Sequence, residues 1–155
     1  MPRHRVSAEA VINAPPGLAY AVIADYRDGH PRIIPHPRFV SLEVEQGGTG
    51  AGTVIRFQMR VLGRVRTFRA AITEPEPGRV LVETDLDTGT VTTFAVVPVE
   101  DGRKSRVNIS TDILTRGGLL GRVERLLVTR LLQPVYRREL EQLGAVAAGR
   151  AKNEG

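Results

Sequence analysis

The chain has 155 residues, 41% of them hydrophobic, which is enough for one well-buried core and too few to presume two. It contains no cysteine, and this excludes disulfides, thiolate nucleophiles and cysteine-ligated zinc or iron–sulfur centres. The formal net charge of +5 would favour acidic partners, but the arginines are dispersed, often beside Glu or Asp, and the only lysines are Lys104 and Lys152; the pattern reads as a solvated basic surface, with no nucleic-acid interface.

Met1-Pro2-Arg3-His4-Arg5 leads straight into an alternating pattern, and no apolar run approaches the ~18 residues of a membrane span. The expectation is a soluble cytoplasmic protein without integral membrane association. From Arg5 to Ile12, Val6, Ala8, Ala10 and Ile12 alternate with Arg5, Ser7, Glu9 and Val11, the period of a half-buried strand. Pro15 and Pro16 end it and pre-set a helical turn, so Leu18 to Ala24 form a short helix that Asp25 to Gly29 terminates. Tyr26 to Arg38 carries Pro31, Pro35 and Pro37 and admits at most a short helical turn, while Ile33 and Ile34 within it need a packing partner.

Phe39 to Glu45 resumes the alternation, and Gln46 to Gly52 follows as the most flexible stretch. Gly48, Gly50 and Gly52 resemble a phosphate loop only in composition: Thr53 to Leu62 is a strand, not the required helix, and no Gly-Lys-Ser/Thr triplet is present. If Gly63-Arg64 is a two-residue turn, Thr53 to Leu62 pairs with Val65 to Glu74 so that Ile55 faces Ile72, Phe57 faces Ala70, Met59 faces Phe68 and Val61 faces Arg66. That face is apolar except for Arg66, which either snorkels to water or is presented to a ligand.

Glu74 to Gly78 breaks the sheet before a hairpin of Arg79 to Leu86 and Thr90 to Val99. A three-residue loop with Gly89 in the left-handed region aligns Val80, Val82, Thr84 and Leu86 with Thr90, Thr92, Phe94 and Val96 and sends Glu83 and Asp85 to solvent. A two-residue loop would instead put Phe94 and Val96 on the face of Glu83 and Asp85. The first register is preferred because it buries no unpaired carboxylate. The last hairpin turns at Glu100-Asp101-Gly102, with Val107, Ile109, Thr111 and Ile113 on one face. Gly118 to Arg150 then forms a long amphipathic helix with the stripe Leu120, Val123, Leu127, Leu131 and Val135, continued by Leu140, Leu143 and Ala147, a bend expected between Arg130 and Pro134, and a tail from Ala147 to Gly155 that frays.

Familiar chemistries are mostly absent. None of the four serines stands in a Gly-x-Ser-x-Gly elbow. His30 and His36 bracket a proline-rich loop at a spacing unlike paired-histidine metal motifs, so no metal is expected, although a histidine near a pocket rim suits proton transfer.

The order strand, helix, proline-rich loop, six strands and long C-terminal helix resembles the START-related (SRPBCC) superfamily. Supporting stretches are Ile12-Asn13-Ala14-Pro15-Pro16 running into Tyr20 to Tyr26, the Gly47 to Gly52 loop, and Thr93 to Pro98 before Arg106-Val107-Asn108-Ile109. The resemblance implies an α+β helix-grip fold, β-α-α-β6-α, in which a curved seven-stranded antiparallel sheet wraps a long C-terminal helix around a hydrophobic cavity. It covers residues 1–155 as one ligand-binding domain, with a core of about 3–149. Members that resemble this pattern include polyketide cyclases and aromatases, coenzyme Q-binding proteins, lipid carriers and plant hormone-binding proteins.

The functional expectation is a binding module for a lipid, polyketide or isoprenoid-like molecule, with no cofactor, acting as a monomer or weak homodimer. One alternative is a polyketide cyclase, aromatase or dehydratase that uses Tyr26, His30 or Arg66 for acid–base work, and another is a stress-related partner-binding module. The lining expected from the residues is Ile34, Ile55, Phe57, Met59, Phe68, Phe94 and Val96 against Leu127 and Leu131, with Arg66 holding an acidic or carbonyl end of the ligand.

Overall fold

A computed structural model describes residues 3–154; the expectations placed on Met1, Pro2 and Gly155 lie outside them. Strand β1 (Arg3–Ile12) leads through Pro15 into α1 (Pro16–Ala24), then into the single turn of α2 (Gly29–Ile33). Strands β2 (Phe39–Gln46), β3 (Val54–Val61), β4 (Arg64–Glu76), β5 (Val80–Asp85), β6 (Val91–Val99) and β7 (Lys104–Leu114) precede α3 (Gly118–Glu154). The strands form one antiparallel sheet in the order β1-β7-β6-β5-β4-β3-β2, with register shifts in β2 and β4 of the kind that bends a sheet. This is the helix-grip fold.

Local chemistry explains the helical corner. The Asp25 carboxylate accepts the backbone N–H groups of Arg27, Asp28 and Gly29, closing the turn between α1 and α2. Gly29 lets α2 begin directly on α1, since a Cβ there would fall 2.5 Å from the Val22 carbonyl oxygen. The glycine stretch, expected to be flexible, is tied down: Tyr26 N–H donates to the Gly48 carbonyl, Gly50 N–H to Ala24, Gly52 N–H to Ile72, and Ala51 N–H to the Glu74 carboxylate. The Gly50, Ala51 and Gly52 donors are spent on this anchoring.

Two hairpins depart from expectation. The β3–β4 turn is Leu62-Gly63, both at positive φ (50° and 79°), the pair of left-handed residues that matches strand twist. Ile55 therefore pairs with Ala70, Phe57 with Phe68 and Met59 with Arg66, a slip of two residues that leaves every side chain on its expected face. Between β5 and β6, Leu81 pairs with Phe94 and Glu83 with Thr92, one residue from the preferred alignment, so Glu83 turns inward beside Phe94.

Helix α3 runs unbroken through Pro134 and stays helical to Glu154, with Ala147 buried and Ala151 packed on the core where fraying was expected. Its buried face is Val135, Tyr136, Glu139, Leu140, Leu143 and Ala147, with Val128 and Leu132 half-buried before them. Leu120, Val123 and Leu127, expected in the stripe, are exposed, Leu127 to 54%. Leu143→Ala should therefore lower stability by ~2–5 kcal/mol in urea unfolding, whereas Leu127→Ala should change it by less than ~0.5 kcal/mol.

Candidate functional site

A cavity lies between the inner face of the sheet and α3, in two lobes that share Phe57, Met59, Glu83, Thr92, Leu132 and Tyr136. The inner lobe, of about 80 Å³, is closed by Ile34, Phe39, Ile55 and Phe94 and ends on His30, Glu83 and Glu139. The outer lobe, of about 240 Å³, runs past Phe68 and Leu131 toward Val61, Thr88 and Ile113. Phe57 and Phe68 stack at 5.3 Å between ring centroids and make much of the apolar wall.

The polar end is assembled from three elements. His30, on α2, is buried, and its Nδ1–H donates to the Ile23 carbonyl at 2.8 Å; a carbonyl can only accept, so the proton sits on Nδ1. Nε2 then faces Glu83 of β5 at 3.5 Å and Glu139 of α3 at 3.8 Å. Tyr26 stacks on the imidazole at 4.4 Å, and Phe94 meets it edge-on at 5.6 Å. The Tyr26 hydroxyl donates to Glu83 Oε2 at 2.5 Å, which pairs the carboxylate that the one-residue register change brings inside. Beside them, Tyr136 pairs with Thr111, which bonds Thr92 at 2.8 Å.

Burial pushes the Glu139 carboxyl well above the usual carboxylate range, and the nearby charge of Glu83 pushes it further in the same direction. Both causes favour the protonated form of Glu139. Burial and, after it, the charge of Glu83 likewise raise the Tyr26 hydroxyl. Imidazole, neutral carboxyl and hydrogen-bonded carboxylate within one apolar chamber can accept a proton at one atom and return one at another.

Of the residues expected at the site, Ile34, Ile55 and Phe94 line the inner lobe, Phe57 and Met59 line both, and Phe68 and Leu131 line the outer one. His30 is in the wall, whereas Tyr26 is buried outside it and touches the cavity's chemistry only through His30 and Glu83. Val96 is fully buried in the core, Leu127 is exposed, and Arg66 stands exposed opposite Met59 near the β3–β4 turn, outside both lobes. Glu139, Tyr136, Thr92 and Leu132 were not anticipated. A signal for the helical members existed: Val128, Leu132, Tyr136 and Glu139 recur at spacings of four, four and three residues, so Glu139 is a carboxyl group on an apolar face.

The protonation of Glu139 has a measurable consequence. Its native carboxyl keeps a proton that the unfolded chain releases above ~pH 4.3, so this group's contribution falls as pH rises from there through the raised native value. Glu139→Gln should lack that slope: in urea unfolding its stability should improve relative to the unsubstituted protein by up to ~1.4 kcal/mol for each pH unit above that point.

The family profile described as polyketide cyclase/dehydrase and lipid transport matches residues 3–148. Among solved structures, the KanY protein in solution is 28% identical, with 96% of this chain and 99% of that chain covered and a TM-score of 0.82. The ZhuI aromatase/cyclase from Streptomyces sp. R1128 is 17% identical over 96% of each chain, TM-score 0.76, and a START superfamily protein from Mycobacterium smegmatis is 15% identical over 98% of this chain and 99% of that one, TM-score 0.71. A comparison with curated proteins finds no match.

Proposed function

This chain belongs to the polyketide cyclase/dehydrase and lipid transport family, within the START-related superfamily, and we propose that it binds one small apolar molecule whose hydroxyl or carbonyl end meets His30, Glu83 and Glu139. The observation that supports this reading is an apolar chamber between sheet and α3 that ends on hydrogen-bonding side chains. Lobes of about 80 and about 240 Å³ each fall below the usual range of ligand sites, ~300–1,000 Å³. One or two fused rings, or a short chain, fit better than a long acyl tail. Arg66, exposed outside both lobes, has no place as the anchor in this reading.

Titrating β-naphthol and its methyl ether, followed by ligand fluorescence, tests it. The naphthol should bind ~10-fold more tightly, because the ether leaves the buried acceptors without a donor. Met59→Trp should fill the chamber and abolish both, while Arg66→Leu should change neither. Failure of the folded protein to bind either compound would sink the reading.

A second reading, proton-transfer catalysis of the aromatase or cyclase kind, is favoured by the placement of His30 Nε2 between Glu83 and Glu139 at the chamber wall. Nε2 would take the proton from a carbon between two carbonyls; the enolate carbon would bond to a second carbonyl carbon, and Glu139 would give its proton to the resulting alkoxide. With a poly-β-keto thioester as substrate, His30→Gln should lower kcat ~10²–10⁴-fold with KM little changed. A shift in affinity alone, with no turnover in the unsubstituted protein, marks a carrier.

A further inference from the structure

The first three turns of α3 carry an apolar surface that the sheet does not cover. Leu119 and Leu120 are 78% and 67% exposed, and Val123, Leu126 and Leu127 follow them into solvent. Gly121 fixes this arrangement, since its place against the Arg116 carbonyl leaves a Cβ only 1.8 Å away and so suits glycine alone. The antiparallel register brings the β3–β4 turn, the β5–β6 loop and the β7–α3 junction to the same end: Ala70 lies opposite Asp85, Thr84 opposite Val91, and Val91 opposite Asp112. Among the described residues, every exposed large apolar side chain except Val11, Val40 and Val97 belongs to this end or to those turns of α3.

The same surface is cationic. Arg64, Arg66, Arg122, Arg125 and Arg130 make no ion pair with any described residue. The nearby acids are engaged: Asp112 pairs with Arg5, Glu124 lies 3.9 Å from Arg116, and Asp85 accepts the N–H groups of Asp87 and Thr88, which leaves Asp87 as the exposed carboxylate.

We propose that this end docks on an anionic lipid bilayer, with Leu119 and Leu120 in the headgroup–acyl boundary and the arginines on lipid phosphates. Alternation of leucine and arginine on an exposed helix is what such an interface selects. The apolar groups stand on separate projections, two hairpin tips and a helix; a fluid surface meets all of them at once, whereas a rigid partner would need a matching hollow for each. No helix among the described residues is long and apolar enough to cross a membrane, so the contact is peripheral. The outer lobe reaches Val61, Thr88, Ile113 and Val128 at this same end. If the cavity holds an apolar ligand, as read above, that ligand passes between bilayer and chamber without crossing water.

Flotation of the full chain with phosphatidylcholine vesicles, with and without phosphatidylglycerol, tests the docking directly. Binding should require the anionic lipid and weaken with salt. Arg122→Gln with Arg125→Gln should weaken it roughly 30-fold, Leu119→Ser with Leu120→Ser should abolish it, and Val11→Ser should leave it unchanged, all with unaltered thermal melts. Any of three results overturns the assignment: no binding by the unsubstituted chain, equal binding to neutral vesicles, or arginine and leucine variants that bind as it does. Leucine-dependent binding to poly-glutamate but not to vesicles would make the surface one for an acidic protein, and the membrane would be excluded. Naphthol titration of the same variants in solution keeps the two readings apart, because the chamber is untouched by these substitutions.

Discussion

The hydrogen bond from Tyr26 to Glu83 is the interaction on which the inner architecture depends. A carboxylate carried into an apolar chamber costs several kcal/mol unless it is paired, and the same group left solvated costs nothing. The Tyr26 hydroxyl makes the inward orientation of Glu83 tolerable, with His30 beside it, and that orientation sets which face of β5 looks at α3. Both partners come from the corner after α1, where the Asp25 carboxylate closes the turn and Gly29 allows α2 to press on Val22. Strand, helical corner and long helix thus meet at one group.

From that group outward the cavity changes character. Its inner end gathers His30, Glu83 and Glu139, with the Glu139 carboxyl raised by burial and by the neighbouring carboxylate. Its outer end is mostly apolar and opens among hairpin tips whose Leu62 and Leu86 are exposed. Packing is therefore tight around the polar end and loose at the outer one. A locally loose end on a well-packed body is where binding surfaces commonly arise.

The two hairpins show why some expectations survived an error and others did not. Side chains on a strand alternate with period two. The β3–β4 register is off by two, and Ile55, Phe57, Met59 and Phe68 keep their face; the β5–β6 register is off by one, and Glu83 changes sides. A similar displacement affects α3, where the expected stripe through Leu127 and Leu131 lies one residue from the observed Val128 and Leu132. Apolar residues occupy so much of the circumference from Leu119 to Leu132 that periodicity alone admits either face.

Sequence alone determined the element order, the strand faces set by simple alternation, the proline-stopped helical corner and most of the apolar lining, because each of these follows from contacts between near neighbours. Tertiary structure alone decided the polar end. The preference for a solvated Glu83 was sound for an isolated hairpin, and it was reversed by a hydroxyl 57 residues away, which no local rule can supply. It was also the end of the sheet, a global boundary, that settled which leucines of α3 are covered and which face water. Burial of charge and exposure of leucine are properties of partners, and partners are assigned only when the chain closes on itself.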